Sequence, residues 1–135
     1  MKPKYVYHGS GIKIEGALVP RKANDLTGDP YGSLKGVYAT HLRKWAMIMG
    51  ILSCKGVKSS STHVKGKRKI DAIIHSGWPK QDYFYLYTLS SKTFKEKPKG
   101  SAQWVSLKAV KPKKIEKLLV KNYIHWIKKP IRKKK

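Results

Sequence analysis

Acidic residues are the scarcest functional class in this chain. Seven Asp and Glu stand against thirty-one Lys and Arg, a net charge of +24 at pH 7. The seven acids, Glu15, Asp25, Asp29, Asp71, Asp82, Glu96 and Glu116, form no sequence-local pair, so a carboxylate dyad for acid–base work is not encoded as a motif. Cysteine is nearly absent. The single thiol, Cys54, excludes an internal disulfide framework, leaves no second Cys for a zinc site, and suits a reducing, cytoplasmic compartment. The five histidines, at 8, 41, 63, 75 and 125, are scattered, and no metal site is expected. No apolar run approaches the roughly 20 residues that span a bilayer, so no membrane partner is expected. Lys2 and Lys4 are followed by no apolar segment, so no signal peptide is expected either.

What is present is enough for one domain. The chain has 135 residues, 40% of them hydrophobic, and carries no internal repeat. Residues 1–127 read as the domain and 128–135 as a basic, mobile tail. Lys4 to His8 alternates as a strand. Residues 9–35, rich in Gly and Pro and containing Asn24-Asp25, read as loop. Gly36 to Thr40 reads as a second strand, and Thr40 suits a helix N-cap. Leu42, Trp45, Ala46, Met49 and Leu52 then recur at helical spacing, predicting an amphipathic helix that ends near Cys54 to Gly56.

Residues 57–69 read as a basic loop and Ile70 to His75 as a strand. Tyr83 to Leu89 is the clearest strand of all. Ser90 to Ala102 reads as a lysine-rich loop and Gln103 to Val110 as a strand. Pro112 to Leu119 fits one or two helical turns, and Leu119 to Ile127 fits a strand or a short helix. Short strands with one main helix predict a compact α+β domain with a split, mostly antiparallel sheet.

Two short words carry the chemistry: Tyr7-His8-Gly9-Ser10 closing the first strand, and Gly36-Val37-Tyr38-Ala39-Thr40 forming the next. Together they resemble the NAD-binding half of the ADP-ribosyltransferase superfamily, the diphtheria-toxin-like and poly(ADP-ribose)-polymerase-like branch. The resemblance covers about the first 55 residues, and the rest follows only as a strand pattern. It implies an α+β split-sheet fold and NAD as substrate. His8, Gly9 and Ser10 would meet the ribose and carboxamide, Tyr38 would stack the nicotinamide, and Thr40 would support that strand. These roles suit the residue types: glycine permits close backbone approach, imidazole bonds a hydroxyl, and a phenol ring offers a face.

The resemblance also implies a second ring wall on the following helix. That position falls near Met49, with Trp45 one turn earlier, and both also fit as helix-face core residues. The family's catalytic glutamate maps to Gln103 in Ser101-Ala102-Gln103-Trp104-Val105-Ser106. Glutamine keeps a hydrogen bond to a ribose hydroxyl but brings no charge, and one preorganised charge is worth ~10²–10³ in rate. Catalysis would then rest on Gln103, Tyr38 and His8.

The charge points to partners rather than to fold. A polyanion, most often nucleic acid, is the expected partner; a solvated, self-repelling surface is the alternative. Arg43 and Lys44 open the predicted helix, where cations oppose the macrodipole unless an anion docks there. Lys92, Lys95, Lys97 and Lys99 crowd the loop before Gln103, which in this superfamily faces the acceptor. Phe94 and Trp104 could stack on an extruded base. The expectation is a monomeric NAD-dependent transferase acting on nucleic acid or a nucleic-acid-bound protein, of the kind found as bacterial or phage effectors. The alternative is a non-catalytic nucleic-acid-binding protein on the same fold. A third possibility, an RNA 2′-phosphotransferase-like chemistry, relies on basic residues that find no match here.

Overall fold

A computed structural model describes residues 2–22, 35–65, 69–97 and 99–129. The centre of the Gly/Pro-rich stretch (23–34), with its Asn24-Asp25 pair, and the end of the basic tail (130–135) lie outside the described residues. Among the described residues, nine strands and one α-helix follow in the order β1 (Tyr5–Ser10), β2 (Arg21–Lys22), β3 (Lys35–Thr40), α1 (Arg43–Leu52), β4 (Val57–Lys65), β5 (Lys69–Gly77), β6 (Tyr83–Ser90), β7 (Phe94–Glu96), β8 (Gln103–Ser106) and β9 (Lys114–Leu119). Two 3₁₀ turns, Val120–Asn122 and Ile124–Trp126, follow β9.

The main sheet runs β7-β8-β3-β1-β6-β9, with β2 added beside β3 and every strand pair antiparallel. It is split between β1 and β3. β1 matches β6 from Tyr5↔Ser90 through Ser10↔Tyr85, but it meets β3 at one pair, Tyr7↔Thr40. The expected α+β class, the antiparallel pairing and the one main helix are all observed.

The period-2 alternation of the strands sorts side chains onto two faces, each with its own core. On one face, Ala46, Met47, Ile48 and Ile51 of α1 pack on Phe84 and Leu86 of β6, Ala72 and Ile74 of β5, and Val120 and Ile127. On the other, Val6, Val37, Ala39, Tyr87, Leu89, Phe94 and Trp104 pack together beneath Leu18 and Val110. Those last two residues pair their backbones, each N–H reaching the other's carbonyl at 2.8 Å.

Several sequence expectations are corrected. Of the expected loop 57–69, residues 57–65 are a strand: β4 pairs with β5, and Thr62 Oγ1 accepts the Trp45 indole N–H at 3.3 Å; residues 66–68 lie outside the described residues. A Ser- and Lys-rich run gives no apolar alternation, so its strand is dictated by its partner. Residues 112–119 are not helical. β9 pairs along the outer edge of β6 from Thr88↔Lys114 to Tyr83↔Leu119, and its lysines are typical of a protected edge. β8 stops at Ser106, because that hydroxyl receives Lys108 N–H at 3.2 Å and turns the chain. The loop at 90–102 contains the short β7.

The helix begins at Arg43 with Leu42 as its cap residue and buries Ala46, Met47, Ile48, Gly50 and Ile51. Met49, expected on the buried face, is 44% exposed. The expected tail begins inside the fold. Lys128 N–H reaches Ala72 O at 2.9 Å, its carbonyl accepts Ile74 N–H at 2.9 Å, and Lys129 lies 4.6 Å above the Trp78 ring.

Candidate functional site

The two sequence words meet at the split. Where β1 and β3 stop pairing, His8 Nδ1–H donates to the Tyr38 carbonyl at 2.6 Å. A carbonyl only accepts, so the ring proton sits on Nδ1, and the neutral imidazole carries its acceptor lone pair at Nε2. Toward a ribose hydroxyl, neutral His8 would therefore accept a proton, not donate one. Its ring tilts against Tyr87, centroids 6.1 Å apart. Tyr87 is itself fixed, its hydroxyl accepting Ile14 N–H at 2.6 Å, and burial raises its pKa.

Gly9 is required by packing. A Cβ there would lie 1.9 Å from the Ala46 carbonyl oxygen, and a Cβ on Gly50 would meet Phe84 at 2.8 Å and Gly9 Cα at 3.3 Å. The strand and helix backbones touch at this Gly–Gly crossing, so the room left by the missing side chain is taken by α1. Ser10 and Thr40 are buried and hold their own turns: Ser10 Oγ accepts Ile12 N–H at 3.2 Å, and Thr40 Oγ1 accepts Leu42 N–H at 3.0 Å. Thr40 is therefore not the expected N-cap: Leu42 fills that position without a side-chain cap bond, and the Thr40 hydroxyl holds only the turn that leads into it.

Gln103 begins β8 directly opposite Thr40, and Thr40 in turn lies opposite Tyr7, so the three share one row across the split. Tyr38, two residues before Thr40, lies on the same face, opposite Val105. The Gln103 amide is engaged in closing its own loop. The side-chain Nε2–H donates to Lys97 O at 2.9 Å, and the Gln103 backbone carbonyl accepts Lys97 N–H at 2.9 Å. Ala102 just before it has φ 68°, a left-handed conformation costing ~1–2 kcal/mol for a residue with a Cβ. Glu96 offsets this by accepting Ala102 N–H at 3.0 Å. Strain held in place beside a candidate site is a recurrent feature of binding loops.

The aromatic walls are redistributed. Trp45 faces the β4–β5 hairpin, where its N–H is spent on Thr62. Trp104 is 8% exposed and Phe94 1%, both within the second core. Packed in the core, they reach the surface only where their edges line a cavity, which leaves little of either ring for a base. The Trp104 N–H donates to His41 Nδ1 at 2.9 Å, which puts the proton of neutral His41 on Nε2. Cys54 is buried and its thiol pKa is pushed up to about 11 by desolvation, so it is no nucleophile at neutral pH.

The cations fall into two groups. Arg43 forms a two-point pair with Glu116, at 2.8 and 3.0 Å, and lies 5.9 Å from the Tyr7 ring; Lys44 sits 4.9 Å over Trp126. Both are held by the protein itself, which explains their place at a helix start without a bound anion. The Arg43 hydrogen bonds hold the Glu116 carboxyl below its ordinary pKa, and the same contact raises that of Arg43. By contrast, Lys95 and Lys99 line a cavity of about 640 Å³ with Lys2, His41 and Trp104, where Glu96 is the one acid. Lys92 lines a second cavity of about 560 Å³, with Lys4, Lys111 and Lys113 and no acid at all. Lys97 contributes its backbone to the Gln103 loop.

From the sequence, His41 stands out only as a basic residue opening the predicted helix and Tyr7 only as part of a strand word, and Lys4, Lys111 and Lys113 do not stand out as site residues. His41 follows the Gly36–Thr40 word directly and was legible there, whereas the lysines are joined only by folding. Among the described residues no group of three His, Cys, Asp or Glu could hold a metal ion, and no helix is long and apolar enough to cross a membrane. Compared with protein-family models, curated proteins and solved structures, the chain finds no match.

Proposed function

We propose that this protein is an ADP-ribosyltransferase-like enzyme that binds NAD where β1 and β3 part, and that its acceptor is nucleic acid or a nucleic-acid-bound protein. The observation that carries the reading is the His8–Tyr38 hydrogen bond across the split. It joins the two motif words at the point where the sheet opens, with Gln103 in the row beside them. In this reading the half-buried Tyr38 offers its ring to the nicotinamide. His8 holds the Tyr38 backbone at the split as the Nδ1–H tautomer, its ring on the opposite face from Tyr38 and Gln103 by the strand alternation, and Gln103 lies beside the ribose without contributing charge. Transfer breaks the bond between nicotinamide and ribose, nicotinamide leaving with the electron pair, and forms a bond from that ribose carbon to a nucleophile of the acceptor, which loses its proton.

One observation favours a second reading, a non-catalytic nucleic-acid-binding protein. The Gln103 amide donates to Lys97 O, a structural task that glutamine performs and an ionised glutamate cannot.

Calorimetry with NAD separates the two. His8→Ala and Tyr38→Ala should each weaken NAD binding by about 1–3 kcal/mol, the scale of an unmade buried polar or stacking contact. Unchanged affinity in both variants ends the NAD assignment. Incubation with labelled NAD and, in turn, DNA, RNA and cell lysate identifies the acceptor by where label is retained. NAD binding without transfer to any of the three favours the second reading.

A further inference from the structure

We propose that the cavity at the start of β1, lined by Lys4, Lys92, Lys111 and Lys113, docks the phosphate backbone of a single nucleic-acid strand. The inference rests on the nucleic-acid-directed reading above and gives it a location away from the split. Three segments distant in sequence build this cavity: the entry to β1, the turn after β6, and the connection between β8 and β9. Each contributes lysine, and none contributes an acid. Among the described residues no carboxylate forms an ion pair with these four ammonium groups. Gathering like charges around a concave wall is unfavourable in the free protein. It focuses a positive potential that an anion relieves.

The walls are rigid. Ser91 N–H donates to Lys4 O at 3.1 Å, the Ser91 hydroxyl donates to Pro3 O, and Thr93 Oγ1 and Ser106 Oγ are 2.7 Å apart. Lys113 N–H reaches Thr88 O at 2.7 Å, and the Val110 pairing with Leu18 fixes the far side. A site preorganised this way loses little ordering entropy on binding. Its volume, about 560 Å³, lies within the range of pockets that enclose a drug-sized ligand.

The single strand is favoured over a duplex by Tyr5. Tyr5 is 38% exposed and lines the cavity, and the Lys4 ammonium lies 5.4 Å from the centre of its ring. An aromatic ring beside a cation in a basic groove suits unpaired bases strung along a backbone. The track extends past this cavity. Lys2 Nζ donates to Lys92 O at 3.3 Å, tying the chain start to the turn between the two basic cavities, and Lys95 and Lys99 line the second. His8 is three residues beyond Tyr5, about 10 Å along the strand. By the strand alternation Tyr5 and His8 point to opposite faces of the sheet, so the cavity is a docking point separate from the split.

The test is fluorescence anisotropy with a labelled single-stranded oligodeoxynucleotide and its duplex across a salt series. It compares wild type, Lys4→Gln/Lys111→Gln/Lys113→Gln, and the control Lys55→Gln/Lys58→Gln/Lys80→Gln, whose exposed lysines lie outside both cavities. The two triples carry equal net charge, so only location differs. The cavity triple should lose at least about tenfold in single-strand affinity and flatten the slope of log K against log salt by about 2, at ~0.7 per lost phosphate contact. The control should change both far less. Tyr5→Ala should weaken the single strand more than the duplex.

Equal losses from the two triples would overturn the docking site while leaving a nucleic-acid partner in place. Equal losses for single strand and duplex would overturn the single-strand assignment. A wild-type protein that binds neither would overturn the docking site and the nucleic-acid part of the proposed function together. Thermal melting of each variant checks that the fold is retained.

Discussion

At the start of α1, Arg43 reaches Glu116 with two nitrogens and Lys44 lies over Trp126, whereas at the start of β1, Lys4, Lys92, Lys111 and Lys113 surround a cavity without one carboxylate. Both regions are strongly basic in sequence. The fold satisfies the first and leaves the second unpaired. With 31 basic residues in 135, charge density alone points everywhere. Pairing is what distinguishes cations that hold the protein together from cations left over for a partner.

The largest expected effect breaks the comparison if the unpaired cations do no work. With six to ten phosphates contacted, affinity for a polyanion should fall ~10³–10⁵-fold between 50 and 200 mM salt. Titrations at fixed pH measure it, and an affinity indifferent to salt removes nucleic acid as a partner.

Next in size is an acid placed among the lysines. In the transferase reading, Gln103→Glu puts a negative charge where positive charge develops and should raise NAD glycohydrolase or transferase activity by ~10²-fold. The same change removes the donor to Lys97 O, so a stability loss of about 1–3 kcal/mol should accompany it. Activity assays and denaturant melts separate the two effects. If neither moves, Gln103 lies outside the site.

A smaller effect sharpens the comparison from the paired side. Arg43→Ala should change nucleic-acid affinity by no more than about threefold, since its guanidinium is engaged with Glu116. A tenfold loss would show that pairing does not remove a cation from the binding surface.

The smallest is a pH effect. The folded-state pKa of Glu116 is held down, first by the Arg43 hydrogen bonds. Its contribution to stability is therefore fully present above the unfolded-state value, about 4.3, and is lost as pH falls through the lower folded value. The pair is solvent-exposed on the Arg43 side, so the contribution is under about 1 kcal/mol. Melting wild type and Glu116→Gln from pH 7 down to pH 3 should show a gap that closes at the acid end.

Gly9 marks the boundary of what could be read without the fold. A glycine after His8 pointed to close approach by something, and the approach is real. The body that approaches is α1, through Ala46 and Gly50, over forty positions that no local pattern links to it. The helix itself was legible, but the choice of Met47 and Ile48 over Met49 for burial was not. Apolar residues occupy nearly every position from Trp45 to Leu52, so the buried stripe is chosen by the sheet that receives it.

The sequence alone determined short strands over Lys4–His8, Gly36–Thr40 and Tyr83–Leu89, each within two residues of the observed bounds, one helix after Thr40, the α+β class and the positive charge. These follow from local steric preference and side-chain periodicity, which act within a few residues. Only the tertiary structure decided that residues 57–65 and 114–119 are strands, because their backbones are satisfied by β5 and β6 rather than by any preference of their own. It alone buried Trp104 and Phe94, joined His8 to Tyr38, paired Arg43 with Glu116 and gathered four lysines from three segments. Apart from the β4–β5 hairpin, these contacts join residues as far apart as Thr88 and Lys114 (26 positions) or Lys4 and Lys113 (109 positions); they depend on chain crossing and register, and no local pattern carries that information.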